Sequence, residues 1–210
     1  MTTLALEFSS DRRSVALACD GIVLAEAVEQ TAGRGTNAFA LIEKVLVDAN
    51  VSRDKIEAIV VGLGPGSYTG IRAGIAIAQG WHLATGVKLL GVSSMAALAV
   101  QAQADKIFGR VNVVIDAQRG EFYLATWELG ENCRTQTVSL KIVAGATVEA
   151  MRMAGEICVG PQEANRILFP SAAMMAQLAV DGAYRIPGET LEPIYLRETA
   201  FVKAAPSRTL

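Results

Sequence analysis

The sequence predicts an α/β protein made of two related halves built on mixed sheets, the second half reduced. Three observations carry this expectation. Strand-like segments at the front give way to alternating helical and strand-like segments; Ile56 to Leu63 is a continuous β-branched apolar run that leads through glycines into a helix; and the opening pattern of the chain recurs near residue 113. A run apolar throughout its length reads as a strand covered on both faces, and alternation of strands with helices is how partly parallel sheets are built.

Leu4 to Ser9 and Ser14 to Cys19 read as strands, and Asp20-Gly21 ahead of Ile22 to Ala27 is the signal of a type I′ hairpin. Thr36 is placed to cap a helix from about Asn37 to Asn50. On that helix Phe39, Ile42, Leu46 and Ala49 form an apolar stripe, widened by Ala38, Leu41 and Val45. After the strand at 56–63 and its glycine loop a helix runs to about Thr85. Val87 to Gly91 adds a strand, and Ser93 or Ser94 caps a helix through about Gln101. The order to this point is βββαβαβα.

The chain turns between Asp105 and Gly109, and a second unit begins. Leu4 to Glu7, followed by a polar turn and Ser14 to Leu17, matches Val113 to Asp116, followed by Gln118 to Glu121 and Phe122 to Ala125. Each half opens with a strand that ends in an acid and doubles back. Two subdomains are therefore expected, 1–104 and 105–210. The second reads as the poorer copy, with weaker strands, a helix from about Ser171 to Val180 and no second glycine loop.

Half of the 210 residues are hydrophobic and 19% are charged, against about a quarter charged in an average soluble domain. That excess points to apolar surface covered by a partner. No apolar stretch reaches the roughly 20 residues that span a bilayer. The N-terminus carries Glu7 inside its apolar run and no basic region, which does not fit a signal peptide and places the chain in the cytoplasm. Cys19, Cys133 and Cys158 are odd in number, far apart and never in a CxxC pair, so neither a disulfide framework nor a thiolate zinc site is expected. A net charge of -2 gives no electrostatic ground for holding nucleic acid directly.

The glycine loop, Gly62-Leu-Gly-Pro-Gly-Ser-Tyr-Thr-Gly70, has the materials of a phosphate site, because glycines and a helix N-terminus let an anion meet backbone N–H groups. It does not match GxxxxGK[ST], and the GxGxxG dinucleotide pattern fails at Ser67 and Thr69. The other reading is tight turning and close helix packing. Gly70, Gly74 and Ala78 make a small-residue stripe for another helix, while Ile71, Ile75 and Leu83 offer a second apolar face. Only Arg72, Gln79 and His82 solvate this helix, so it is expected to be covered on two sides.

His82 is the only histidine, which excludes a two-imidazole metal site and confines any Ser-His-Asp triad to its surroundings. It reads as a surface or interface hydrogen-bonding residue. Glu7 and Asp116, at strand ends, could hold magnesium through water or satisfy turn N–H groups. Arg119 and Glu121 read as solvated.

Leu6-Glu-Phe-Ser-Ser10 ahead of Ser14-Val-Ala-Leu17, Gly64-Pro-Gly-Ser-Tyr-Thr-Gly-Ile-Arg-Ala-Gly74, Gly91-Val-Ser-Ser94, Ile115-Asp-Ala-Gln-Arg-Gly-Glu-Phe-Tyr123 and Glu192-Pro-Ile-Tyr-Leu-Arg197 occur in this order. The set resembles the TsaB/YeaZ family of bacterial tRNA threonylcarbamoyladenosine biosynthesis proteins, over nearly the whole chain. The resemblance implies an ASKHA (actin-like ATPase) fold of two ribonuclease-H-like halves. It implies a non-catalytic paralogue of TsaD, the transferase that adds threonylcarbamoyl to N6 of adenosine 37 in tRNAs reading ANN codons. Family members pair with TsaD through the two N-terminal helices, the ATPase TsaE docks on the pair, and the chain alone is expected to form a homodimer. In this chain the implied interface falls on Phe39, Ile42, Leu46, Ile71, Gly74, Ile75, Ala78 and His82. A vestigial nucleotide site falls on Glu7, Ser67, Thr69 and Gly70, with ATP or ADP and magnesium at a complex interface as its implied ligand.

The chain departs from the transferase where metal is held. TsaD carries HxxxH on its first helix, where this chain reads Thr36-Asn-Ala-Phe-Ala-Leu-Ile-Glu43, and the strand-end acid, commonly Asp in the family, is Glu7. Catalysis and metal binding by this chain are therefore not expected, and tRNA contact is expected only through the complex. The alternatives are an ASKHA-type ATPase or kinase using Glu7, Asp116 and Ser67 to Gly70, and a metalloprotease-like enzyme.

Overall fold

The chain begins as an antiparallel meander of β1 (Thr2–Glu7), β2 (Arg12–Cys19) and β3 (Ile22–Gln30). The computed structural model describes residues 1–30, 37–181, 185–187 and 191–196. Asp20 and Gly21 have φ of 49° and 80°, the double positive φ that a type I′ turn requires. Helix α1 (Ala38–Asp48) follows, with Asn37 at its cap position and the Asn37 N–H donating to Glu29 Oε2 at 3.2 Å. Thr36, the expected cap, lies outside the described residues.

Strand β4 (Ala58–Gly62) is buried at every position and runs parallel to β1 and to β5 (Lys88–Val92). Between them lies α2 (Tyr68–Thr85), closed by Gly86 in the left-handed region at φ 73°. Helix α3 (Ser94–Ala104) starts at Ser93, whose side chain accepts the Met95 N–H at 3.2 Å.

The second sheet repeats the plan. It contains β6 (Gly109–Asp116), β7 (Glu121–Leu129), β8 (Arg134–Ala144), β9 (Ile157–Gly160) and β10 (Arg166–Ile167), with α4 (Gly145–Met153) between β8 and β9. Its order is β10-β9-β6-β7-β8, and the first sheet contains the matching order β5-β4-β1-β2-β3. In each, the opening strand is antiparallel to the second and parallel to the fourth. The duplication read from Glu7 and Asp116 is thus a duplication of topology. Residues 161–165 stand where the first half has α2, which is why no second glycine loop exists. The expected weaker strands are found only in part: β6, β7 and β8, with 8, 9 and 11 residues, are longer than β1, β2 and β3, with 6, 8 and 9, whereas β9 and β10, with 4 and 2, are shorter than β4 and β5, with 5 each.

Helix α5 (Ala172–Asp181) and strand β11 (Arg185–Pro187) follow β10 and return to the first sheet. There α5 packs on β1 and β2, and β11 pairs antiparallel with β5. The sequence division at residue 104 falls between α3 and β6, yet α5 and β11 belong by contact to the first sheet. Conversely α3 joins both cores: Ala96, Ala97 and Val100 pack with α5, while Met95, Leu98, Ala99 and Ala102 pack with the second sheet. An apolar helix sandwiched in this way accounts for part of the apolar excess within the chain itself.

Candidate functional site

A cleft of about 470 Å³ lies between the halves. The β1–β2 turn supplies Ser9, Ser10 and Asp11, and the start of α2 supplies Gly66, Ser67 and Tyr68. Opposite them are Ile115, Asp116, Ala117, Gln118 and Tyr123 around the β6–β7 turn, with Pro161, Gln162 and Phe169 completing the wall. The Asp116 carboxylate accepts the Gln118 N–H at 2.7 Å and its Nε2 at 3.0 Å, an interaction that fixes the turn.

The glycine loop closes on the chain's own backbone. Ser67 N–H donates to Ser9 O at 2.7 Å. A methyl group on Gly66 would lie 2.2 Å from Ser9 O, and one on Gly70 would lie 2.0 Å from Phe8 O. These glycines therefore permit the carbonyls of Phe8 and Ser9 to enter the space that a phosphate would take. Ser67 Oγ caps α2 by accepting the Gly70 N–H at 3.4 Å.

Of the residues implied for a vestigial nucleotide site, Glu7, Ser67, Thr69 and Gly70, only Ser67 lines the cleft; Asp116 and Tyr68, which belong to the ATPase alternative, line it as well. Gly70 is buried under Phe8, and Thr69 is exposed outside the lining. Glu7 is fully buried: Oε1 accepts the Ser9 N–H at 2.5 Å and Oε2 accepts the Ser94 hydroxyl at 3.0 Å. Its carboxyl lies against Gly62, whose Cα hydrogen side is also approached by Met175. Glu7 therefore lies outside the cleft that Asp116 lines; it ties the end of β1 to the start of α3. Among the described residues no group of three or more His, Cys, Asp or Glu is placed to hold a metal.

Burial, opposed by the hydrogen bonds from Ser9 and Ser94, raises the Glu7 carboxyl above its ordinary value near 4.5. A raised folded-state value means that the stabilising contribution is present below that ordinary value and is lost as pH rises through the folded-state value. Glu7→Gln keeps an acceptor for Ser9 and removes the charge. We expect wild type and variant to match near pH 4 and the variant to be the more stable at neutral pH, by at most about 1.4 kcal/mol per pH unit crossed. Urea midpoints measured across that range check it, and parallel curves would refute the assignment.

The implied partner face needs correction. Ile42, Leu46, Ile71, Gly74, Ile75 and Ala78 are buried in the chain's own core, together with Leu4, Leu6, Phe8 and Val61. A methyl group on Gly74 would meet Val61 at 3.3 Å and Phe8 at 3.5 Å. The small-residue stripe thus seats α2 on its own sheet. Phe39, 69% exposed, does face outward, as do Val47 at 73% and Leu83 at 86%. His82 is exposed in the last turn of α2, with Nδ1 2.7 Å from Val87 O.

The Glu192-Pro-Ile-Tyr-Leu segment also acquires a place; Arg197, which ends the quoted motif, lies outside the described residues. Leu191 is buried, Ile194 N–H donates to Leu63 O at 2.8 Å, and Tyr195 stacks on Tyr68 with ring centroids 5.5 Å apart. Arg72 donates to the Tyr68 hydroxyl at 2.6 Å. Aspartate 11, the Tyr68 ring and Phe169 were not singled out in the sequence, because each becomes a wall residue only when separate turns converge.

Duplicated lobes of this topology, closing on a cleft between two acid-bearing turns, define the ASKHA, or actin-like, class of α/β protein. The family described as TsaD, tRNA N6-adenosine threonylcarbamoyltransferase, matches residues 35–201, and the chain belongs to that family. Within it, the chain is 29% identical to the tRNA threonylcarbamoyladenosine biosynthesis protein TsaB of Escherichia coli K12, covering 99% of this chain and 100% of the relative. It is 26% identical to TsaB of Haemophilus influenzae, over 99% and 98%. The solved structure of YeaZ from Pseudomonas aeruginosa superposes with a TM-score of 0.73 at 25% identity, over 93% of this chain and 99% of that one. A second solved structure, described as similar to peptidase YeaZ from Pseudomonas aeruginosa, gives 0.76 at 26% identity, over 93% and 99%. The likeness to TsaB/YeaZ proteins read from the motifs is borne out. No helix among the described residues is long and apolar enough to cross a membrane.

Proposed function

We propose that the chain is a non-catalytic subunit in tRNA threonylcarbamoyladenosine formation, acting in the cytoplasm by docking a TsaD-type transferase. The role in this modification rests on the family and on the relatives named TsaB. The non-catalytic part rests on one observation above others: the glycine loop is filled by the carbonyls of Phe8 and Ser9. A loop satisfied by its own backbone has no need of a phosphate.

The docking face is the outer side of α1 and α2. Phe39 and Val47 on α1 and Leu83 on α2 are large apolar residues exposed to water, on two helices whose buried sides share one core cluster on the first sheet; we take these exposed apolar groups as the anchors of an interaction surface. The same face serves a homodimer when the chain is alone, and the pair with the transferase receives a TsaE-type ATPase. The tRNA is held by the assembly, in keeping with the net charge of -2.

Leu83→Asp tests this reading. The expected result is loss of co-purification with a TsaD protein and loss of restored tRNA modification in a reconstituted mixture, with an unchanged melting temperature. Undiminished pairing would overturn the assignment of the face. Turnover of magnesium-ATP by the isolated chain would instead revive the ATPase alternative.

A further inference from the structure

The two sheets match strand for strand except at one edge. In the first, β11 lies beside β5 and runs antiparallel to it. In the second, β10 holds the place of β5, and no strand lies beside it among the described residues. Leu168, just past β10, donates its N–H to Gly160 O at 3.0 Å. Successive residues of a strand alternate in direction, so Ile167, in register with Gly160, turns its N–H and C=O away from β9 and toward the open edge. Such outward backbone groups are a template for another strand.

A groove of about 600 Å³ opens beside this edge, where the chain past the end of α3 meets β9 and β10. Ile107, Ile157 and Leu168 line it and are half-buried against the second core. Phe108 and Ile167, 41% and 55% exposed, carry the apolar wall into solvent. Lys106 and Arg166 line the groove as well, are exposed, and make no ion pair among the described residues. The one acid there, Asp105, accepts the Gln101 Nε2 at 2.9 Å. The groove is thus apolar in its half-buried part and positive in its exposed part.

We propose that this edge takes an extended, acidic segment of a partner protein, which adds to β10 as β11 adds to β5. The incoming backbone bonds the Ile167 N–H and C=O, an apolar side chain enters beside Ile107, Ile157 and Leu168, and flanking carboxylates meet Lys106 and Arg166. Strand addition of this kind draws affinity from main-chain hydrogen bonds and selectivity from pockets for alternate side chains. Charge assigns the segment to another chain. Residues 197–210 of this one carry Arg197, Lys203 and Arg208 against a single acid, Glu198, the same sign as the groove. The site lies on the second sheet, apart from α1 and α2, and does not rest on the docking face.

Fluorescence anisotropy on the full chain tests this with labelled probes: the end-blocked peptide Glu-Val-Asp-Ile-Glu, its counterpart Lys-Val-Lys-Ile-Lys, and a uridine oligonucleotide. The proposal expects saturable binding of the acidic peptide and much weaker binding of the other two. Arg166→Glu should weaken it about tenfold or more, because like charges then face each other. Ile167→Pro should weaken it similarly, because proline removes the outward N–H and leaves the Leu168 to Gly160 bond in place. Both substitutions fall at exposed positions, and each keeps the test open if the other variant fails to fold. Both variants should still co-purify with TsaD, and Leu83→Asp should leave peptide binding intact, so failure here is separable from failure of the docking face. Absence of saturable binding by the acidic peptide, binding untouched by both substitutions, or equal binding of the lysine peptide overturns the proposal. Tighter binding of the oligonucleotide, weakened by Arg166→Glu, also overturns it and assigns the groove to RNA.

Discussion

Ile75→Asp is expected to leave the chain without a stable fold. Ile75 is 7% exposed in the core that also holds Leu4, Leu6, Phe8, Val61 and Ile71. Truncating such a side chain costs about 2 to 5 kcal/mol through lost transfer energy and the cavity left behind. The new carboxylate adds the cost of burying an unpaired charge, which forces either protonation or local opening. A domain of this kind has a total stability of about 5 to 15 kcal/mol. Circular dichroism should show no cooperative melt near the wild-type temperature, and most of the protein should be insoluble. A cooperative melt at the wild-type temperature would refute the placement of α2. The contrast with Leu83→Asp carries the functional weight: lost pairing in the Ile75 variant reports unfolding, whereas lost pairing in the Leu83 variant reports the surface.

That contrast also locates what a sequence can and cannot specify on one helix. The strands β1 to β6 and the helices α1 to α3 were legible because burial imposes strong patterns: a continuous apolar run for β4, an Asp-Gly turn, a capping serine before α3. The facing of α2 was not. Gly70, Ile71, Gly74, Ile75 and Ala78 form one arc toward the sheet, and at 3.6 residues per turn these positions share a side. The opposite side carries Ala76, Gly80, Leu83 and Ala84 and is almost as apolar, so periodicity alone had too little contrast to tell the sheet from a partner.

The second half shows the reverse difficulty. Strand β8 is an edge strand in which exposed Thr137, Ser139 and Lys141 alternate with half-buried Val138, Leu140 and Ile142, and a polar edge strand leaves a weak apolar signal. The cleft was illegible for a different reason. It joins residues near positions 10, 67, 116, 162 and 169, five turns with no shared periodicity. The repeated strand-end acids did find its symmetry, and the turn N–H role read for both holds in the bonds from Ser9 to Glu7 and from Gln118 to Asp116; the nucleotide-site role implied for Glu7 does not fit, because nothing in the sequence says whether a strand-end carboxylate turns inward toward Ser94 or outward into solvent.

Gly70→Ala provides the sharpest test of what the glycine loop does. The added methyl would lie 2.0 Å from Phe8 O, and a backbone carbonyl just past the end of β1 cannot swing aside as a flexible side chain can. The start of α2 would have to move by about an ångström, which strains the Ser67 N–H to Ser9 O bond and the packing of Ile71. A loss of about 3 kcal/mol or more is expected, in the range of severe single-site effects. Gly80→Ala is the matched control, since nothing lies within 4 Å of its added methyl. In a helix interior that change should stabilise the isolated chain by up to about 1 kcal/mol. Urea unfolding of the two variants therefore separates close approach from helix propensity: equal shifts would show that the loop glycines are not there for Phe8 and Ser9. The control carries a second reading. If a partner helix sits closely on the outer face of α2, Gly80→Ala should weaken pairing while it strengthens the fold, a pair of opposite signs that helix propensity alone cannot produce.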